Sequence, residues 1–372
     1  MRLSPIIKWA GGKEKELSFI FPNAPRTFEH YYEPFVGGGA VFTAFSAQRY
    51  FINDKSEELI NLYSCIASSD ESFFEWIVAI DAVWRAMLSF VDSHRDLCDS
   101  YELFRERELS EEQMEAVIIA FLEEHSFELN DILAPSFKWH RNIYGQELRK
   151  NIVRKLTRMR LIEQKKYLMP QEDVYKNIET AFMSAIYMYL RYIYNDRELM
   201  LSDRGLGTSV FVFMRNYAYG GMFRYSQKGW FNVPYGGIGY NHKLLQKKID
   251  YYKSTFLVDR LSNTTICNQD FEVFLRNHPP QENDFVFLDP PYDSEFSTYA
   301  QNVFSQDDHR RLANYLIGEC RAKWMLVIKY TPFIFSLYCN AGLTIKTFDK
   351  KYLVSFMNRN AKDAEHLVIM NY

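Results

Sequence analysis

The chain has 372 residues, 47% of them hydrophobic and 24% charged, a globular balance that excludes a disordered or low-complexity protein. That length exceeds what one hydrophobic core usually organises, so two lobes, or one domain carrying a large insertion, are expected. Forty-four basic residues against 47 acidic ones leave a net charge of -3, which gives no overall nucleic-acid footprint and shifts attention to local charge.

The opening stretch MRLSPIIKWAGGK lacks the apolar core and small-residue cleavage site of a signal peptide. No later run approaches the ~18 consecutive apolar residues of a membrane span, so a cytoplasmic protein without membrane association is expected. Residues 31–33 read as the end of a strand, Gly37 to Gly39 as a tight turn, and residues 40–49 as a short helix. A second strand over residues 50–53 closes on Asp54. Strand, glycine turn, helix, and strand with a terminal acid open a parallel α/β sheet.

From about residue 64 to about residue 205 the texture is helical. Ser110-Glu111-Glu112-Gln113 has capping-box form ahead of an apolar-periodic run ending near Glu124. Leu148, Ile152, Leu156 and Met159 repeat at helical spacing, as do Val174, Ile178, Ala181 and Ala185. Charge separates inside this lobe: residues 99–131 hold eleven acids and two bases, a net -9, whereas residues 138–166 hold ten bases and two acids, a net +8. Two readings stay open. Either these are solvated faces that offset each other, or the basic run is a phosphate-contacting stripe with the acidic surface turned away from a polyanion.

Strand signals return at residues 265–267, 285–288, 324–328, 352–357 and 366–370. The expected fold class is therefore α/β, a mainly parallel sheet interrupted by a mainly helical insertion. Five scattered cysteines, never in C-x-x-C spacing, disfavour a disulfide frame and a zinc site, and no phosphate-binding Walker motif is present.

The most informative residues are Asp289, Pro290, Pro291 and Tyr292, directly after the apolar run at 285–288. The carboxyl ends of strands are where ligands bind in open α/β sheets. Two prolines remove two backbone donors and hold the chain extended, which lets carbonyls point into a pocket. A carboxylate, a carbonyl and a flat phenol ring together suit a planar base bearing an exocyclic amine.

Other motifs stand in order along the chain: Lys8-Trp9-Ala10-Gly11-Gly12-Lys13, Glu33-Pro34-Phe35-Val36-Gly37-Gly38-Gly39, Asn53-Asp54 and Asn268-Gln269-Asp270-Phe271. So does the run from Arg215 to Tyr225, which carries Tyr217, Tyr219 and Arg224, with Phe231 to Gly236 behind it. With these motifs the chain resembles the Dam-like (D12 class) DNA adenine-N6 methyltransferases, over roughly residues 7–63 and 211–338. The resemblance implies a Rossmann-like class I methyltransferase fold whose insertion recognises the target. It divides the chain into residues 1–63 and 246–372 as the two parts of the catalytic domain, 64–205 as a helical DNA-recognition lobe, and 206–245 as a DNA-reading hairpin region.

By resemblance the cosubstrate is S-adenosylmethionine, held by Trp9, Ala10, Gly11, Lys13, Glu33, Phe35, Gly37, Gly39, Asp54, Asp270, Phe271 and Asp289. Asp54 would take the ribose hydroxyls and Asp270 the adenine amino group. Asp289, Pro290, Pro291 and Tyr292 would carry the chemistry on an extruded adenine, without a metal. Lys8, Tyr219 and Arg224 would touch double-stranded DNA, Arg224 as a base reader because a guanidinium fits guanine O6 and N7. Arg154, Lys155 and Arg158 would form the phosphate-contacting stripe, and the long insertion offers surface for a protein partner. Work on DNA would associate the protein with the nucleoid.

The chain departs from the family at Gly220, where asparagine is frequent, and at Lys329-Tyr330, where small polar residues are usual. Three other readings stay open: a cytosine-N4 methyltransferase, an RNA adenine methyltransferase, and a non-catalytic DNA-binding subunit on the same fold.

Overall fold

The computed structural model describes residues 3–9, 11–133, 137, 139–292, 304–351 and 363–372. The chain begins with a short helix α1 (Leu17–Asn23), strands β1 (His30–Glu33) and β2 (Arg49–Asn53), and helix α2 (Glu57–Ala67), whose first turn is capped by the Ser56 side chain. Eight helices follow: α3 (Glu71–Ser93), α4 (Asp96–Arg105), α5 (Glu111–Glu124), α6 (Ser126–Ile132), α7 (Arg141–Lys165), α8 (Gln171–Asn195), α9 (Arg197–Ser202) and α10 (Arg204–Tyr217). After α11 (Gln246–Tyr252) and α12 (Thr255–Ser262) come β3 (Thr264–Cys267), α13 (Phe271–Asn277), β4 (Phe285–Leu288), α14 (Gln306–Gly318), β5 (Lys323–Lys329), α15 (Pro332–Tyr338), β6 (Thr344–Lys351) and β7 (Asp363–Met370).

The chain divides into two compact units, one made of Met1–Ser69 with Tyr252–Tyr372 and one of Asp70–Tyr251. The residue-63 boundary read from sequence falls inside α2. In the first unit seven strands form one sheet in the order β3-β2-β1-β4-β5-β7-β6. The first five of these run parallel, and β7 pairs antiparallel with both β5 and β6. β4 is buried at every position, as a strand covered on both faces must be, which is why its sequence is an unbroken apolar run. Trp324, Leu326, Val286, Leu288, Phe274, Leu316 and Ile369 form the core beside it.

Residues 40–48, expected as a short helix, form isolated turns instead, and Arg49 already belongs to β2. The Arg260 guanidinium donates to the carbonyls of Phe42 (2.9 Å) and Phe45 (2.7 Å), groups a helix would need for its next turn. Thr43 adds a side-chain bond back to the Gly39 carbonyl at 2.7 Å, a further competitor with the helical ladder. The strand expected at 352–357 lies outside the described residues, and β6 has no counterpart among the expected strands.

The second unit is helical around buried α10, which packs on α3 and α8. The Asp203 side chain caps α10 through the amides of Gly205 and Leu206. The capping box read at Ser110 and Gln113 starts α5. Leu148, Ile152, Leu156 and Met159 line the buried face of α7, and Val174, Ile178, Ala181 and Ala185 that of α8. The region expected as a hairpin opens with the helix α10; only after it do two antiparallel bridges, Ala218 with Tyr235 and Tyr225 with Phe231, fold the chain back on itself. Among the described residues no helix is long and apolar enough to cross a membrane.

Candidate active site

The sheet order makes β3, β2, β1 and β4 neighbours, and each of these parallel strands delivers an acid at its carboxyl end. Asp270 follows β3 by three residues, Asp54 follows β2 directly, Glu33 ends β1, and Asp289 follows β4 directly. Four carboxyl groups along one edge of one sheet would repel strongly, so each is held by partners that offset its charge.

Asp289 is paired with Lys13, whose ammonium lies 2.5 Å from Oδ2. The same Lys13 ammonium donates to the Tyr292 hydroxyl (3.2 Å) and to the Gly11 carbonyl (3.0 Å). Lys13 is 1% exposed and Asp289 18%, so the lysine is enclosed while the carboxylate keeps an open side. Pro290 is buried and Pro291 exposed, and the Tyr292 ring meets His366 edge-on at 5.6 Å. Glu33 is buried behind this pair and accepts from the Tyr31 hydroxyl at 2.7 Å. Burial, with the Asp289 charge adding to it, pushes the Glu33 carboxyl well above the usual range, against the opposing pull of Tyr31 and Lys13. A protonated Glu33 removes one of the four negative charges.

Asp54 accepts from the Gly37 amide (3.0 Å) and the Ser56 amide (2.9 Å), and burial raises its carboxyl against these bonds. Asp270 caps α13 through the Glu272 amide and is ion-paired with Arg311 at 2.7 Å. Phe35 and Phe271 are neighbours, with ring centroids 5.6 Å apart, and the Arg311 guanidinium lies over Phe271. Buried Asn53 joins three motifs: its amide nitrogen donates to the carbonyls of Pro34 and Gln269, both at 3.1 Å, and its oxygen accepts from the Gln269 amide at 2.8 Å.

The glycine turn is packed by protein on its Cβ side. A Cβ on Gly37 would lie 2.9 Å from Trp9, one on Gly38 2.3 Å from the Ile7 carbonyl, and one on Gly39 2.5 Å from the Tyr63 hydroxyl. Gly37 and Gly39 also hold positive φ angles of 49° and 76°. These glycines therefore let residues 6–9 press onto the turn, a contact fixed by the Ile6 amide on the Gly38 carbonyl at 2.9 Å. Trp9 is half-buried there, Lys8 and Gly11 are exposed, and Ala10 lies outside the described residues. Sequence reasoning gave no role to Asn53, Tyr31, Tyr63 or Arg311. Asn53 stands beside Asp54 in a recognisable motif, but nothing local marks Arg311, a helix residue 41 positions from Asp270.

The remaining expected residues belong to the helical unit. Tyr219 is 53% exposed and precedes two glycines of positive φ, Gly220 and Gly221. Arg224 is exposed and donates to Asn232 at 2.8 Å across the strand-like pair. Tyr217 is buried, and Tyr225 shares a hydroxyl contact with Tyr194, so these two rings serve the base of the loop. On α7, Arg154 and Arg158 are exposed, while Lys155 is half-buried and reaches Asn177 at 3.4 Å. Burial lowers the Lys155 ammonium from its ordinary value, and Arg154 and Arg158 lower it further. Among the described residues none of the three is ion-paired, whereas Arg149 on the same helix is neutralised by Glu115 at 2.8 Å.

The model of the D12 class N6 adenine-specific DNA methyltransferase family matches residues 9–122 and 115–353. The chain is 31% identical over 210 residues to the Type II methyltransferase M.CviBI of Paramecium bursaria Chlorella virus NC1A, covering 54% of this chain and 76% of the relative. It is 26% identical to the Type II methyltransferase M.MjaIII of Methanocaldococcus jannaschii over the whole of both chains. The retron Ec67 DNA adenine methylase of Escherichia coli is 25% identical over 84% of this chain and 72% of its own length.

Proposed function

The chain belongs to the D12 class of N6 adenine-specific DNA methyltransferases, and from that premise we propose that it methylates adenine at one DNA sequence, using S-adenosylmethionine, on a base turned out of the duplex. Membership supersedes the cytosine-N4 and RNA readings, and the enzyme activity of the family supersedes the non-catalytic one. The observation that carries the finer proposal is the row of acids at four neighbouring strand ends, closed by the Lys13–Asp289–Tyr292 cluster.

The residues fit such a donor. Asp54, with one oxygen on Gly37 and one on Ser56, retains lone pairs for ribose hydroxyls at the position where acids bind them in dinucleotide folds. Asp270 is the acceptor for the donor's adenine amine, sharing its carboxylate with Arg311, and Phe35 and Phe271 supply a flat apolar flank. When bound, the sulfonium donor supplies an electrophilic methyl group.

The target N6 has its lone pair delocalised into the ring, and inside a duplex it cannot meet that methyl group in line. Extruding the nucleotide costs a few kcal/mol. Asp289 and the Pro290 carbonyl then accept the two amine hydrogens, which favours a tetrahedral nitrogen and returns its lone pair to the attack. The N6–C bond forms as the S–C bond breaks, and the surplus N6 proton leaves along the hydrogen bond to Asp289. Lys13 is a positioning residue: three bonds fix its ammonium, so the carboxylate is held in one orientation before substrate arrives. Asp289→Ala should lower kcat in a tritium-transfer assay at least ~100-fold, the usual cost of removing one preorganised transition-state partner. DNA affinity should be unchanged, and turnover near that of the unmodified chain rejects the site.

A further inference from the structure

We propose that His94, His125 and Glu128 form a zinc site in the helical unit, apart from the methyl-transfer chemistry. One ligand atom from each of the three lies within 4.8 Å of the others. His94 Nε2 is 3.6 Å from Glu128 Oε2, and the two imidazole centroids are 4.3 Å apart. A tetrahedral ion with bonds of ~2.0–2.1 Å holds its ligands ~3.3 Å apart, so small side-chain rotations close the set. Two imidazoles and one carboxylate are a common zinc donor set that leaves one position for water.

The surroundings orient the ligands. His94 Nδ1 is 2.9 Å from the Phe90 carbonyl, which can only accept; the proton of a neutral ring therefore sits on Nδ1 and the Nε2 lone pair faces Glu128. With the ring neutral, Nε2 and the Glu128 carboxylate both present lone pairs to one ion. His94 caps the carbonyl end of the 23-residue α3, and His125 that of the 14-residue α5, and both helix ends favour positive charge. Phe90 and Phe121 pack on the imidazoles, with centroids 4.4 Å from His94 and 4.6 Å from His125. Such an ion would clamp the end of α3 to the α5–α6 junction. No local pattern announces this site, because ligands 31 residues apart match no compact metal motif, and the expectation from sequence is of no metal.

The test uses the full chain, stripped with chelator and titrated with zinc chloride alone. One equivalent should bind at this site and raise the melting temperature. His94→Gln, His125→Gln and Glu128→Gln should each weaken binding at least ~10-fold, and Glu123→Gln on exposed α5 surface should not. The Glu128 side chain is 53% exposed, so Glu128→Gln should melt like the unmodified chain when zinc is absent and fail to gain stability when it is added. Cobalt(II) in place of zinc should give visible d–d absorption without a thiolate charge-transfer band. No stoichiometric binding, or equal binding by all variants, overturns the proposal. So does a thiolate band, which would put the ion at a cysteine such as Cys267, whose Sγ lies 3.7 Å from His278 Nε2.

Discussion

Glu33 shows how a single side chain sets the charge of the strand-end row. Its carboxyl is buried, and that burial, with the Asp289 charge adding to it, raises its pKa above the unfolded value of 4.5. A raised acid contributes stability that is fully present below the unfolded pKa and is lost as pH rises through the folded one. The unmodified chain should therefore lose stability on going from pH 5 to pH 8. Glu33→Gln, which keeps an acceptor for Tyr31 and never ionises, should not. The variant should melt higher at pH 8, by at least ~2 °C if about 1 kcal/mol is at stake in a domain of this size. The gap should narrow toward pH 5. A constant difference across that range would mean that Glu33 is already ionised in the fold, with Lys13 rather than a proton offsetting it.

The elements divide into those legible in local pattern and those decided elsewhere in the chain. β4 is legible because a doubly covered strand is a continuous apolar run, and α5, α7 and α8 because caps and periodicity are local. Residues 40–48 mislead because Arg260, more than 200 positions away, takes the carbonyls a helix would use. In the site, Asp289, Asp54 and the glycine turn stand out as strand-end motifs. The pairing of Lys13 with Asp289 spans 276 positions and has no local signal. On α7, Arg149 is offset by Glu115, while Arg154, Lys155 and Arg158 are not ion-paired among the described residues, an arrangement that both a solvated face and a phosphate-contacting stripe share. Replacing these three with glutamine should weaken binding to all duplex sequences alike. It should also flatten the log–log salt dependence by up to ~2.7, or ~0.9 for each phosphate no longer neutralised. Arg224→Ala should instead relax sequence preference and leave the slope nearly unchanged. A stripe variant with an unaltered slope would make α7 a solvated face.

At the scale of the whole molecule, the proposed function would place the donor and the extruded base on one compact unit and the duplex contacts of α7, Tyr219 and Arg224 on the unit inserted into it. The donor-side acids all lie in the unit of Met1–Ser69 and Tyr252–Tyr372, and the α7 bases with Tyr219 and Arg224 in that of Asp70–Tyr251. Each unit has its own buried core, Trp324 anchoring the sheet and Trp84 the helices, so each can change its opening equilibrium separately. A ligand stabilises what it binds by RT ln(1 + [L]/Kd), ~2.7 kcal/mol at a hundredfold excess over Kd. Hydrogen exchange with S-adenosylhomocysteine, the product of the donor, should therefore slow in peptides around Phe35 to Gly39, Asp54 and Gln269 to Phe271. The amides of α3, α8 and α10 should exchange at their unliganded rates. Duplex DNA of mixed sequence should slow the exposed turn of α7 around Arg154 and Arg158 and the loop from Tyr219 to Arg224. Uniform slowing of both units by the donor product would mean that they open as one cooperative body, and the separation of roles argued from their cores would fail.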